Sequence, residues 1–163
     1  MRYMIAAAAL ALTSPGAATL AADQAESAAH EAPEIAVVMD MVNAWNTRDW
    51  DRVADLFAED GVLHSMMVDP VIGRETIRAR IAGLGAGIEE ITLDVHHIGM
   101  IDGLVFVERT DEFTYNGHEG AVPVVGVIAV GDDGLITEWR EYYDRAQLLG
   151  AMGLAEDFDA HEE

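Results

Sequence analysis

From Pro33 onward, apolar residues first recur at helical spacing and later alternate as in strands. In "PEIAVVMDMVNAWNTRDW", Ile35, Val38, Val42 and Trp45 fall three or four residues apart, the spacing of one helical face. Pro33 suits the first turn, where its missing N–H costs nothing. Asn46 to Asp49 breaks the pattern, and Asp49 is placed to cap a second helix through "WDRVADLFAED". "GVLHSMM" reads as a short strand, "VDPVIGR" as a loop, and "ETIRARIAGLGAG" as a third helix ending in glycines. Everything beyond is strand and turn. "EITLDVHHIGMI" alternates with period two and turns at Asp102-Gly103 into "LVFVERTDEFTY". "AVPVVGVIAVG" follows, Asp133-Gly134 marks the next hairpin, and "LITEWREYYD" is the last long strand before a short helix, "RAQLLGAMG". Helices first and a strand meander afterwards predict an α+β domain. A curved, largely antiparallel sheet wrapped on three to four helices would enclose a cone-shaped cavity, the usual setting of a small-molecule site.

Strand parity turns this outline into candidate chemistry. In "LVFVERTDEFTY" one face carries Val105, Val107, Arg109, Asp111, Phe113 and Tyr115, and the other Glu108, Thr110 and Glu112. An ion pair therefore sits on the oily face. In the last strand Trp139, Glu141 and Tyr143 share a face, and the Trp-flanked face is the better candidate for the inside. Glu141 then joins Arg109 and Asp111 in an apolar surround. Removing ions from water costs several kcal/mol, about what their attraction returns, so stability alone is a weak reason to keep them. Chemistry is a stronger one. Of two nearby carboxyls in a dry pocket, one can stay protonated while Arg holds the other ionised, which makes a general acid and a general base. The bland alternative is a buried salt bridge that only registers the strands.

Composition narrows the rest. A chain of 163 residues with 51% hydrophobic and 24% charged residues can bury one sizeable core. Acidic residues outnumber basic ones 30 to 9, for a formal charge of −21, and all nine basic residues are Arg. No basic stripe exists to displace counterions from nucleic acid or to dock on anionic lipid. Without Lys there is no Schiff base, and without Cys no thiol nucleophile or disulfide. The start of the chain has Arg2, an apolar run from Met4 to Leu12, a Ser-Pro-Gly break, and Thr19 and Ala21 in an A-x-A-like relation. That order is a secretory signal peptide over 1–22, implying export to a periplasm or the outside. Residues 23–32 read as a flexible lead-in, 33–153 as the domain, and 154–163 as an acidic tail.

Other candidates carry less. His96 and His97 are adjacent, so on a strand they face opposite ways and cannot chelate one metal together, and no metal spacing is present. His64 reads as a partly exposed structural residue. Ser65 lacks a nucleophile-elbow context, and "GLGAG" follows a helix rather than a strand, the wrong order for a dinucleotide. No cofactor is expected.

"WNTRDWDRVADLFAEDGVLH", "GRETIRARI", "HHIGMIDGLVFVERTDEF" and "ITEWREYYD" together resemble the limonene-1,2-epoxide hydrolase family, within the SnoaL-like and nuclear-transport-factor-2-like cone folds. The likeness runs from about Pro33 to Gly153, and "VERTDEF" with "EWREYYD" is its most specific part. It implies a triad that opens an epoxide in one step without metal or covalent intermediate. Arg109 would be the bridging residue, Asp111 the acid that protonates the epoxide oxygen, and Glu141 the base, where the family usually carries Asp. The Tyr and Asn with which the family holds its water correspond to Leu63 and Ser65, and Leu cannot hydrogen-bond. Tyr115 and Tyr143 are then the candidates for a replacement hydroxyl, with Phe113 and Trp139 as pocket walls. The expected partner is a small apolar substrate, with a homodimer compatible with the fold. Two further readings share the pocket: a proton-shuttling isomerase or cyclase, and a non-catalytic periplasmic binder of apolar ligands.

Overall fold

The computed structural model describes residues 32–154, so the leader, nearly all of the lead-in and nearly all of the tail lie outside the described residues. The first helix, α1 (Pro33–Asn46), has Pro at its start and buries Ile35, Val38, Met41, Val42 and Ala44. It stops where Thr47 returns its N–H to Asn43 O and Arg48 takes φ 56°. The Asp49 carboxylate then accepts from Arg52 N at 3.0 Å and caps α2 (Trp50–Asp55). There follow β1 (Phe57–Ser65), β2 (Val71–Ile72), α3 (Arg74–Gly85), β3 (Ile88–Ile101), β4 (Leu104–Tyr115), β5 (His118–Val130), β6 (Ile136–Tyr142) and α4 (Arg145–Ala151).

The strands form one six-stranded sheet in the order β2-β1-β6-β5-β4-β3. Its pairings are antiparallel except β1 with β6, which is parallel. Two of the hairpins turn on two-residue loops in which both residues have positive φ: Asp102-Gly103 at 51° and 79°, and Asn116-Gly117 at 47° and 80°. That handedness matches the twist of the flanking strands. The three N-terminal helices lie on one face of the sheet. Ile35, Val38 and Met41 of α1, Val53 of α2, and Ile77 and Ile81 of α3 pack with Val105, Val107, Ile128, Ile136 and Trp139 in a single core. The expected α+β architecture, a curved mixed sheet on helices, is what the chain forms.

Three local expectations change. The helical pattern of "WDRVADLFAED" ends at Asp55, and Phe57 onward is strand, because Ile136 N donates to Leu56 O and Phe57 pairs with Ile136. Sheet pairing overrides the local helical spacing here. The register then shifts through Gly61, where a Cβ would lie 3.0 Å from the carbonyl oxygens of Ala58 and Ile136. The loop "VDPVIGR" contains β2, whose Ile72 and Val71 pair with Val62 and Leu63. Finally, His96 and His97 do not face opposite ways. A bulge between Val95 and His97 turns both outward. His96 lies 2.9 Å from the Thr110 hydroxyl, and His97 lies 2.8 Å from the Glu108 carboxylate. Among the described residues no group of three or more His, Cys, Asp or Glu converges as a metal site would require.

The core makes a direct prediction. Ile128 is fully buried between helices and sheet, so Ile128→Ala is expected to cost about 2–5 kcal/mol. Urea denaturation should show a lower midpoint with an unchanged slope.

Candidate active site

On β4, Val105, Val107, Arg109 and Tyr115 are buried and Asp111 and Phe113 half-buried, while Glu108 and Glu112 are exposed. The parity read from the sequence therefore holds along the strand. Arg109 is 3% exposed and is the charged residue of the buried set. Its Nε donates to Asp111 Oδ1 at 2.7 Å and its Nη2 to Asp111 Oδ2 at 3.1 Å, a bidentate pair along one strand. The same Nη2 also donates to Glu141 Oε1 on β6. A second donor, Trp139 Nε1, reaches that oxygen at 3.0 Å, so both bonds end on Oε1 and leave Oε2 outside them. The Trp139 ring lies beneath the guanidinium, 5.7 Å from Cζ to the ring centroid.

One strand, β5, separates Arg109 from Glu141, and its sequence makes the reach feasible. Val124 stands opposite Arg109, and Gly126 pairs with both Val107 and Glu141. A Cβ on Gly126 would lie 2.9 Å from Val107 Cγ1 and 3.2 Å from Arg109 Nη1. The missing side chain is the space through which the guanidinium crosses.

The carboxylates face a cavity of about 150 Å³. Trp45, Leu84, Leu93, Phe113, Val122 and Leu148 supply much of its apolar wall. Against that wall stand Arg109, Asp111, Glu141 and two hydroxyl-bearing rings, Tyr115 and Tyr143. Asp111 is 18% and Glu141 22% exposed, while Arg109 reaches the cavity wall from an almost wholly buried position between them. Burial pushes the Asp111 carboxyl above the usual carboxylate range, and the Arg109 charge and hydrogen bonds only partly offset it. For Arg109, burial works against the charge, but Glu141 and Asp111 outweigh it and hold the guanidinium above its ordinary value. The site thus offers a carboxyl that resists ionisation, a permanent cation and a second carboxylate around one apolar space.

The structure also sorts the remaining candidates. Tyr115 closes one end of the cavity, with its ring against Gly87, where no side chain intervenes. Phe113 and Tyr143 line the cavity as expected. Trp139 does not line it and instead lies beneath Arg109 and braces Glu141. Leu63 is not a lining residue either; it pairs with Trp139 and packs against the core. Ser65 is connected to the cavity through Tyr143, with Oγ and Oη 2.7 Å apart. Sequence reasoning missed most of the apolar wall. Leu148 comes from α4, which Asp144 caps and Gln147 ties to Ala121 O at 3.1 Å, and Met152 is the residue that ends that helix. Trp45 comes from the end of α1. Helical spacing marked Trp45 as buried but could not show that it faces a space.

A family model described as SnoaL-like domain matches residues 38–139, a span that includes Arg109 and Asp111 and stops just before Glu141. The epoxide hydrolase EphG of Mycobacterium tuberculosis is 32% identical over 106 residues, which cover 63% of this chain and 68% of that protein. Among solved structures, an LEH-like epoxide hydrolase of M. tuberculosis aligns with TM-score 0.65 at 25% identity, over 74% of this chain and 89% of that one. A Catenulispora acidiphila protein with a ketosteroid isomerase-like fold aligns with TM-score 0.66 at 24% identity, over 75% and 95%. The last is a likeness of fold.

The passage across β5 can be tested by filling it. Gly126→Ala should destabilise the protein by about 1–3 kcal/mol, as overpacking does. Adding Val107→Ala should return part of that loss if crowding is the cause. Chemical denaturation of the two single variants and the double variant measures the coupling.

Proposed function

Because the chain belongs to the SnoaL-like family and has an epoxide hydrolase among its relatives, we propose that it adds water to a small apolar epoxide to give a vicinal diol. The observation that carries this reading is the hydrogen-bonded unit Asp111–Arg109–Glu141 on the wall of an otherwise apolar cavity. Asp111, protonated, gives its proton to the epoxide oxygen as the C–O bond breaks. Glu141 takes a proton from the water whose oxygen forms the new C–O bond. The proton gained at Glu141 and lost at Asp111 leaves the net charge of the site unchanged, and its return to Asp111 completes the cycle. Arg109 touches both carboxyls and keeps their combined charge compensated at each stage.

An apolar epoxide suits the wall, and a cavity of about 150 Å³ favours a compact substrate over an extended one. The apolar surround also strengthens the electrostatic contacts, since little water screens them. An isomerase or cyclase would use the same acid and base without water. The hydroxyl pair of Ser65 and Tyr143 beside Glu141 favours the reading in which water is held. We further propose, from the leader composition, that the reaction takes place outside the cytoplasm.

Incubation with terpene and cycloalkene epoxides in isotopically labelled water should yield diol carrying one labelled oxygen. Asp111→Asn should lower kcat by about 10²–10⁴-fold, the usual share of general acid–base catalysis. No diol from any epoxide, unlabelled rearrangement product, or full activity in Asp111→Asn would each overturn the proposal. The pH profile follows from the raised Asp111 pKa. The reacting form is the protonated one, so kcat/KM should fall as pH rises through that ionisation. The midpoint should lie above the ordinary Asp value of about 3.9.

A further inference from the structure

Building on the epoxide-hydrolysis reading, we propose that Tyr143 holds the attacking water together with Glu141, and that Ser65 acts as a positioning residue for Tyr143. A water poised for attack needs both hydrogens committed, so that a lone pair points at the carbon. One hydrogen goes to the base. The other needs an acceptor nearby, and the side chain of Leu63 has no polar atom to offer.

Tyr143 meets the requirement by its place in the fold. It follows Glu141 by two residues, and both line the cavity. The parallel pairing of β1 with β6 sets Ser65 opposite Glu141, and Met66 N donates to the Glu141 carbonyl oxygen at 3.1 Å. Ser65 is therefore fixed beside the base at the end of its strand. From there its Oγ lies 2.7 Å from Tyr143 Oη. With the phenol donating to Ser65 Oγ, the Oη lone pairs accept the second hydrogen of the water. In the reaction the water oxygen bonds to carbon, one water proton passes to Glu141, and the proton of Asp111 passes to the departing epoxide oxygen. Tyr143 keeps its own proton throughout. It contributes orientation, which is a large share of the barrier when a water must attack along one line.

The competing view is that the Ser65–Tyr143 bond merely ties the end of β1 to the chain after β6. Steady-state kinetics and melting temperatures of the wild type, Tyr143→Phe, Ser65→Ala and Ser65→Thr separate the two. Tyr143→Phe should lower kcat about tenfold to a hundredfold, with KM changed by less than about threefold, because ground-state binding is untouched. Ser65→Ala should lower kcat in the same sense, and Ser65→Thr, which keeps a hydroxyl, should restore it. Wild-type kcat in Tyr143→Phe overturns the proposal. So does a Ser65→Thr variant as slow as Ser65→Ala. If Tyr143→Phe does not fold, the two Ser65 variants decide alone. A wild type that makes no diol overturns the hydrolase reading and this one together. An active wild type with an indifferent Tyr143→Phe overturns only the water-holding role.

Discussion

The constraint on which the site depends is the burial of one guanidinium. Arg109 cannot shed its charge, and it lies almost wholly out of water. An isolated ion there would cost several kcal/mol, so it must be met by partners within hydrogen-bond reach. Asp111 on the same strand meets it with a two-point contact, and Glu141 meets it from two strands away. The sheet is arranged to allow the second contact: β5 presents Gly126 where a side chain would block the way. Trp139 then fills the floor below the guanidinium and steadies the Glu141 oxygen that Arg109 already holds. Arg109 thus links Asp111, Glu141, Gly126 and Trp139, although Trp139 also packs in the core and Gly126 also lies against Val107.

The same interaction divides the carboxyls by circumstance. Asp111 is bound along its own strand and is the more enclosed, so its ionised form is disfavoured by burial. Glu141 is reached across the sheet, with both of its described donors on a single oxygen. Two acidic groups a few ångströms apart thus offer different faces to a bound molecule. That asymmetry, and not the mere presence of two acids, is what acid–base chemistry requires.

Much of this was legible in the sequence because strands obey a simple rule. A period of two, applied to "LVFVERTDEFTY" and "ITEWREYYD", is enough to put Arg109, Asp111 and Glu141 on inner faces. The turns at Asp102 and Asp133 were legible for the same local reason. What the chain hid was non-local. The start of β1 looked helical until Ile136 claimed Leu56 and Phe57. The period-two rule failed at His96 and His97, where the bulge inserts an extra residue that alternation cannot register. Leu148 lies on, and Met152 just past, a short helix that docks on β5 at Ala121 and Gly120. Leu63 and Ser65, assigned to the pocket by resemblance, part company because the parallel pairing sets one against Trp139 and the other against Glu141.

That parallel pairing also bears on when the candidate site comes together. Strand β6 is the last to be synthesised, yet it sits between β1, the first, and β5. Until it inserts, the sheet is two separate pieces with open edges, and open edges invite pairing with other chains. Glu141 arrives only with that insertion, and so do Trp139 and the segment bearing Tyr143. A partly made chain can pair β3, β4 and β5 from near neighbours, but cannot bring Glu141 to Arg109. Closure of the sheet joins residues far apart in the sequence, the kind of non-local pairing that slows folding in general. The Asp111–Arg109–Glu141 unit is therefore completed by the same strand that closes the sheet's exposed edges.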